Sequence, residues 1–181
     1  MTITNYIKLE FPSYSANESF ARAAAAGFAA QLDPTLEELG DIKTAVSEAV
    51  TNCIVHAYPD SIGKITMRLR ILDGEKLEIT VRDWGRGIQD LDKAMQPMYT
   101  TGGEERSGMG FTIMESFMDK LKVKTKVQKG TSVTMLRTIK QRRGRRCPGG
   151  GQPPSGFCRC KSARRGFPFP GAPDCGRRWP G

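Results

Sequence analysis

Long apolar runs are absent from this chain of 181 residues. No run approaches the roughly 18 apolar residues that a membrane-spanning helix needs, and the N-terminus lacks a basic region followed by an apolar core. From these absences we expect neither a membrane span nor a secretory leader. We therefore expect a soluble, cytoplasmic protein that makes no membrane contact.

Histidine and cysteine are scarce before residue 141. His56 is the single histidine of the chain, and Cys53 is the single cysteine among residues 1–140. The other four cysteines are Cys147, Cys158, Cys160 and Cys175. A zinc site built from these four is an open alternative, although a Cys-x-Cys pair with flanking cysteines eleven and fifteen residues away matches none of the usual spacings.

Acidic residues are nearly absent from residues 141–181. This segment holds ten of the 28 Lys and Arg residues but one of the 19 Asp and Glu residues, which leaves 18 of each in residues 1–140. The formal charge of +9 therefore belongs to the tail. A neutral folded part has no net electrostatic reason to bind DNA.

The same tail holds nine glycines and seven prolines and shows no hydrophobic periodicity. Such a composition cannot bury enough apolar surface to offset its chain entropy. We therefore expect one domain over residues 1–140 and a disordered tail over 141–181. Two alternatives stay open for the tail: a frameshifted or mispredicted C-terminus, and a basic segment that binds RNA or acidic partners.

The periodicity of residues 1–140 predicts an α/β fold. Alternating segments indicate strands at 3–11, 64–72, 76–82, 121–127 and 131–139, and helical spacing indicates helices at 16–30, 34–56 and 111–118. We expect a two-layer sandwich, in which a mixed, mainly antiparallel sheet carries three helices on one face.

The first two helices have sequence signals for their starts. Ser15 and Glu18 have the spacing of a capping box, and Asp33 followed by Pro34 predicts an N-cap and a first helical residue. On the first helix, Phe20 falls on the side expected to face the core.

The end of the second helix carries both packing and polar residues. Glu48, Asn52 and His56 stand four residues apart and share one ridge of the helix. Beside this ridge runs an apolar stripe of Val46, Ala49, Val50, Cys53 and Ile54. The carboxylate can polarise a hydroxyl and the carboxamide can bind Mg²⁺, although such a pair is more often a solvated helix face.

A turn motif follows the third strand. Asp83 ends the strand, and Gly85 and Gly87 come at alternate positions after it. A carboxylate there can accept the exocyclic amine of adenine, and the glycines let the backbone approach a flat ring. The alternative is a plain turn.

A glycine-rich helix start follows a long polar segment. Residues 88–107 have weak periodicity, as expected for a functional lid. Gly108, Met109 and Gly110 then open an amphipathic helix, whose first amides and positive dipole end suit phosphate groups. A packing role for these glycines is the alternative. Together, the three motifs provide a cation ligand, an adenine acceptor and a phosphate cradle, the parts of a nucleoside triphosphate site.

These residues resemble the ATPase superfamily shared by histidine kinases, DNA gyrase, heat-shock chaperones and MutL, known as the Bergerat fold. Within it, the sequence is most similar to the anti-sigma-factor serine kinases of spore-forming bacteria. The matching segments are NESFAR at 17–22, QLDP at 31–34, VSEAVTN at 46–52, QP at 96–97 and RSGMGFTIME at 106–115. The resemblance covers about residues 5–138 and leaves out the tail.

The resemblance implies ATP and Mg²⁺ as cofactors and assigns roles by position. It implies Glu48 as the base that orients a serine hydroxyl and Arg22 as a partner-facing residue. The implied nucleotide contacts are Asn52, which also binds the metal, Asp83, Gly85, Gly87, Gly108, Met109, Gly110 and Thr131. His56 receives no proton-transfer role, because a histidine at a helix end is usually structural.

The resemblance also implies a biological activity. Such a protein inhibits a sporulation sigma factor when ATP is bound and phosphorylates an anti-anti-sigma factor on serine, and it is expected to be a homodimer. One rival is a non-catalytic, nucleotide-gated module that binds a sigma factor. Another is an ATPase fragment of a histidine kinase, which would need a phosphoacceptor histidine outside the ATP site.

Overall fold

The computed structural model describes residues 1–95 and 109–139, and the structural statements below concern these residues. The elements are β1 (Ile3–Pro12), α1 (Ala16–Ala29), α2 (Leu36–Asn52), β2 (Lys64–Leu72), β3 (Lys76–Asp83), α3 (Leu91–Ala94), α4 (Gly110–Phe117), β4 (Lys120–Lys126) and β5 (Gly130–Thr138). A 3-10 turn, Ala30–Leu32, follows α1, and a π-helical turn, Cys53–Ala57, extends α2. The short α3 lies in the segment expected to be a loop.

Several expectations concern other parts of the chain. The tail over 141–181 with its four cysteines, most of the expected lid, and Gly108 lie outside the described residues. Within residues 1–95 and 109–139, none of the helices combines the length and the apolarity needed to cross a bilayer.

The strands form one sheet in the order β1-β2-β3-β5-β4. Every described pair of neighbouring strands is antiparallel, so the sheet is antiparallel rather than mixed. Short turns build the β2–β3 and β4–β5 hairpins, which must therefore be antiparallel. At the first of these turns Asp73 and Gly74 both have positive φ, 52° and 73°, as the Asp-Gly pair predicts.

The core lies between the sheet and the helices, which confirms the expected two-layer α/β sandwich. In β2, Ile65, Met67 and Leu69 are fully buried, whereas Arg68 between them is exposed. The helix α2 packs against both α1 and α4. Its expected stripe is buried at Val46, Ala49, Val50 and Cys53 and half-buried at Ile54. The expectation for Phe20 is wrong, because its side chain is 58% exposed.

The face of the sheet opposite the helices is polar and rich in basic residues. Four lysines of the edge strand β4 point to this side and are exposed: Lys120, Lys122, Lys124 and Lys126. Their register leads through Ser132 to Arg82 and through Thr134 and Thr80 to Arg68. The neutral balance of residues 1–140 therefore hides an uneven distribution of charge over the surface.

The helix starts differ from both sequence signals. Ser15 has helical dihedral angles and makes no side-chain cap. A capping box occurs instead at Thr35, two residues after Asp33: Glu38 N donates to Thr35 Oγ1 (3.1 Å), and Thr35 N donates to Glu38 Oε2 (2.8 Å). Asp33 is left-handed (φ 53°) and ends the preceding turn, so it cannot also begin α2.

Replacing the true cap should destabilise the domain. We expect Thr35→Ala to lower the free energy of unfolding by about 1 kcal/mol, because an amide of the first turn loses its acceptor. Ser15→Ala is the matched control and should change it by less than about 0.5 kcal/mol. Urea denaturation of both variants would check this, and an equal loss from Ser15→Ala would contradict the assignment.

Candidate functional site

A cavity of about 830 Å³ opens between the helices and one end of the sheet. Its walls come from the end of α2, the turn after β3, α3, and the starts of α4 and β5. The residues of the polar ridge and of the expected nucleotide contacts that line it are Glu48, Asn52, His56, Asp83, Gly87, Met109, Gly110 and Thr131. The structure therefore brings the three sequence motifs to one cavity.

One corner of the cavity joins α2 to the start of α4. Glu48 and Asn52 are half-buried and lie one turn apart on the same side of α2. A Cβ atom added to Gly110 would lie 3.0 Å from Glu48 Oε2 and 3.4 to 3.5 Å from the amide atoms of Asn52. The carboxylate and the carboxamide therefore face the first residue of α4, where backbone amides have no carbonyl within the helix to pair with.

The α-helix ends at Asn52 rather than continuing to His56 as expected. The π-helical turn Cys53–Ala57 follows, and His56 lies half-buried within it. This turn is wider than an α-helical one, and the Ala57 carbonyl accepts a hydrogen bond from Arg86 N at 3.2 Å. The end of the helix that carries Glu48 and Asn52 is thereby attached to the turn that follows β3.

Asp83 is a buried carboxylate, 2% exposed, at the end of β3. Its Oδ1 accepts hydrogen bonds from Gly85 N (2.9 Å) and Thr131 N (3.1 Å), and the Cys53 thiol lies 3.7 Å from Oδ2. Burial raises the pKa of Asp83, and the two amides partly counteract this effect. Because the backbone occupies Oδ1, Oδ2 has the larger remaining capacity to accept a hydrogen bond from a ligand.

The two glycines of the turn have different reasons to be glycine. Gly85 does not line the cavity, and a Cβ atom there would collide with the Ala57 carbonyl. Gly87 lines the cavity, has φ 70°, and a Cβ atom there would collide with the Lys126 carbonyl. Gly85 thus permits the close approach of α2 from outside the cavity, whereas Gly87 shapes its wall.

A pair of threonines supports the same wall from β4 and β5. Thr131 Oγ1 lies 3.1 Å from Thr125 Oγ1, and Thr125 Oγ1 accepts a hydrogen bond from Ile88 N at 2.8 Å. Through the amide of Thr131, this chain of contacts continues to Asp83. Thr131, which the resemblance implies as a nucleotide contact, therefore lies next to the Asp83 carboxylate.

Arg22 lies away from the cavity on α1. Its guanidinium, with the side chain 43% exposed, is 3.7 Å from Glu18 Oε1, and the same oxygen accepts a hydrogen bond from Ser47 Oγ at 2.6 Å. Glu18 therefore links α1 to α2 beside Glu48 instead of capping its own helix.

Comparisons with known proteins identify the family of the chain. The family model of the histidine kinase-like ATPase domain matches residues 11–137. The anti-sigma F factor of Caldanaerobacter subterraneus subsp. tengcongensis is 58% identical over 144 residues, covering 79% of this chain and 100% of the relative. That of Thermoanaerobacter sp. strain X514 is 57% identical over 140 residues, covering 77% and 97%.

The chain belongs to the anti-sigma F factor family of histidine kinase-like ATPases. Among solved structures, the RsbU and RsbW domains of Rv1364c from Mycobacterium tuberculosis match with a TM-score of 0.55 at 17% identity. That match covers 75% of this chain and 32% of the other and supports the fold alone. Family membership implies that the domain binds ATP, and the roles assigned to individual residues stay predictions.

Several cavity residues of this family member escaped the sequence motifs. Arg86, Gln89, Asp90 and Lys93 line the cavity. Arg86 is an x position of the glycine motif, and the others lie in the segment interpreted as a lid, so neither pattern marked them as ligands. Asp90 is the N-cap of α3, its Oδ1 accepts a hydrogen bond from Lys93 N (3.1 Å), and both residues line the cavity.

Asp83→Asn should raise the stability of the domain relative to the wild type and weaken its binding of ATP. Burial raises the pKa of Asp83 above 3.8, so the folded state binds the proton more tightly than the unfolded state does. This proton binding stabilises the fold at low pH, and the stabilisation is lost as the pH rises through the folded pKa. The variant should therefore gain stability relative to the wild type from pH 4 upward in urea titrations. It should also bind ATP about tenfold more weakly or worse, because a charged acceptor is lost.

The opposite pH trend, with the wild type gaining on the variant as the pH rises, would contradict the burial argument. Undiminished ATP affinity of the variant would contradict a different claim, the assignment of Asp83 as the acceptor for adenine.

Proposed function

We propose that this protein holds a sporulation sigma factor inactive when ATP is bound and phosphorylates an anti-anti-sigma factor on a serine. The observation that carries the proposal is the cavity shared by Glu48, Asn52, Asp83 and the start of α4. The names of the relatives support the partner class. The proposal includes a cytoplasmic location, a homodimer and a domain that ends near residue 140.

The nucleotide is proposed to lie with its base at Asp83 and its phosphates at the start of α4. Asp83 Oδ2 accepts the exocyclic amine of adenine, with Gly87 and Thr131 beside the ring. The phosphates approach Met109 and Gly110, together with Gly108 outside the described residues. The first amides and the positive dipole end of α4 suit this negative charge.

The donor set at this corner fits Mg²⁺. The space at Gly110, which a Cβ atom would fill, is bordered by the Asn52 carboxamide and by Glu48 Oε2. Within residues 1–95 and 109–139, His, Cys, Asp and Glu form no cluster of three or more placed to bind a metal. One protein oxygen together with phosphate oxygens and water is the usual coordination of Mg²⁺. When bound at Asn52, the ion neutralises charge on the phosphates.

Glu48 is proposed to orient the partner's serine. Its carboxylate accepts a hydrogen bond from the serine hydroxyl and takes the proton as the serine oxygen bonds to the γ-phosphorus, while the bond from that phosphorus to the β–γ bridging oxygen breaks and ADP leaves. The amides at the start of α4 stabilise the charge on the transferring group.

The two rivals make different demands on the cavity. A module that only binds a sigma factor has no need of a carboxylate at Glu48. A histidine kinase fragment would need an external phosphoacceptor, but His56, the single histidine of the chain, lines the cavity. Phosphate transfer to serine distinguishes the proposed function from both.

Glu48→Gln should abolish transfer while ATP binding remains. Incubation of the full chain with Mg-ATP and the candidate anti-anti-sigma factor should add one phosphate to its intact mass, located on serine by fragmentation. We expect the variant to react at least about 10²-fold more slowly, the usual loss for a missing general base. Glu37→Gln, on an exposed position of the same helix, is the control. Undiminished transfer by Glu48→Gln would overturn the assignment of Glu48 as the general base.

Arg22→Ala should weaken partner binding without changing ATP affinity, because Arg22 does not line the cavity. We expect a loss of about fivefold to tenfold in the affinity for the sigma factor, as for one exposed charged contact of about 1 kcal/mol. Binding of the sigma factor in the presence of ATP would be measured by calorimetry. Arg68→Ala, on the opposite face of the sheet, is the control, and equal affinities of all three proteins would contradict the partner role.

A further inference from the structure

A tyrosine outside the cavity binds the turn that follows Asp83, the proposed acceptor for adenine. Tyr58 follows the π-helical turn of α2, is half-buried and does not line the cavity. Its hydroxyl accepts a hydrogen bond from Trp84 N (2.8 Å) and donates one to the Lys64 carbonyl (2.8 Å). One side chain therefore connects the end of α2, the first residue of β2 and the residue after Asp83.

The turn is attached to α2 at two points. Trp84 N is bound by Tyr58, and Arg86 N is bound by the Ala57 carbonyl. Gly85 lies between these points, and its amide binds Asp83 Oδ1. The main chain on the C-terminal side of the Asp83 carboxylate is thus fixed to the helix that carries Glu48 and Asn52.

The ring of Tyr58 is itself fixed in place. A Cβ atom added to Gly63 would collide with the ring. Gly63 N donates to Ser13 Oγ (2.9 Å), and the Gly63 carbonyl accepts from Ser13 N (2.8 Å). The segment before β2 therefore has little freedom to move away, and the ring packs against a fixed backbone.

Trp84 is held by its side chain as well as by its backbone amide. Its ring contacts two cations, with Lys64 Nζ at 4.6 Å and Arg82 Cζ at 4.8 Å from the ring centroid. Its backbone amide is bound by Tyr58 and its ring by cation–π contacts. Trp84 thus reports on the turn through its fluorescence.

We propose that Tyr58 is a positioning residue for base recognition, which keeps Asp83 fixed and thereby sets the preference for adenine over guanine. This inference rests on the proposed nucleotide site. Adenine presents an exocyclic amine to an acceptor, whereas guanine presents a carbonyl oxygen at the corresponding position. A fixed carboxylate rejects that carbonyl because two acceptors face each other, and a carboxylate free to shift does so less strongly.

The test compares ATP and GTP affinities in the full chain carrying Trp179→Phe, which leaves Trp84 as the single tryptophan. Tyr58→Phe keeps the ring and removes the hydroxyl with both of its hydrogen bonds. The ATP dissociation constant should then rise about fivefold, the size expected when the single hydrogen bond from adenine to Asp83 is weakened. The GTP dissociation constant should stay the same or fall, because a carboxylate free to shift rejects the guanine carbonyl less strongly, so the ATP preference falls by at least the same factor. Tyr6→Phe, at a 67% exposed position of β1, should leave both constants unchanged.

Gly63→Ala gives a second route to the same result. The added methyl group displaces the Tyr58 ring without touching the cavity lining, and the ATP preference should fall again. An unchanged ratio in both variants, even with a lower melting temperature, would mean that Tyr58 is only structural and would overturn the inference. If the Trp179→Phe background itself bound no ATP, the proposed function would fail instead, so the two failures are distinguishable.

Discussion

The site depends on one buried carboxylate that is held by backbone amides. Asp83 Oδ1 accepts from Gly85 N, in the turn that follows β3, and from Thr131 N in β5. A buried charge needs such partners, since its desolvation is unfavourable. Satisfying one oxygen with the backbone fixes the orientation of the other, and the fold thereby maintains a hydrogen-bond acceptor where water is largely excluded.

The second constraint is that α2 serves the core and the cavity at the same time. Ala49 and Val50 are fully buried, and Glu48 and Asn52 line the cavity on the neighbouring side of the same turns. A shift of this helix that improved the core would also displace the polar pair from the start of α4. Packing and site geometry are therefore coupled, and core substitutions near Ala49 affect both.

Periodicity was sufficient to predict the strands, the buried stripe of α2 and the order of the motifs. It could not distinguish between competing local signals: Ser15 has cap chemistry, but its helical dihedral angles leave that chemistry unused, and Thr35 takes the role that Asp33 was expected to fill. The π-helical turn has no sequence period of its own at a length of five residues.

Contacts that depend on the pairing of strands far apart in the chain could not be predicted from the sequence either. Thr125 supports the cavity only because β4 pairs with β5 beside the turn after β3. Likewise, the basic face of the sheet results from alternation along β4 combined with the register of three further strands. The net charge of residues 1–140 does not reveal this face, because acidic residues elsewhere offset its basic residues in the sum.

The pairing of β3 with β5 joins two strands that lie far apart in the sequence. These strands are neighbours in the sheet although α3, α4 and β4 lie between them in sequence. The entropy of closing such a connection grows slowly with its length, by about 0.6 kcal/mol for each doubling. Insertions or deletions between α3 and α4 therefore have little effect on the strand register.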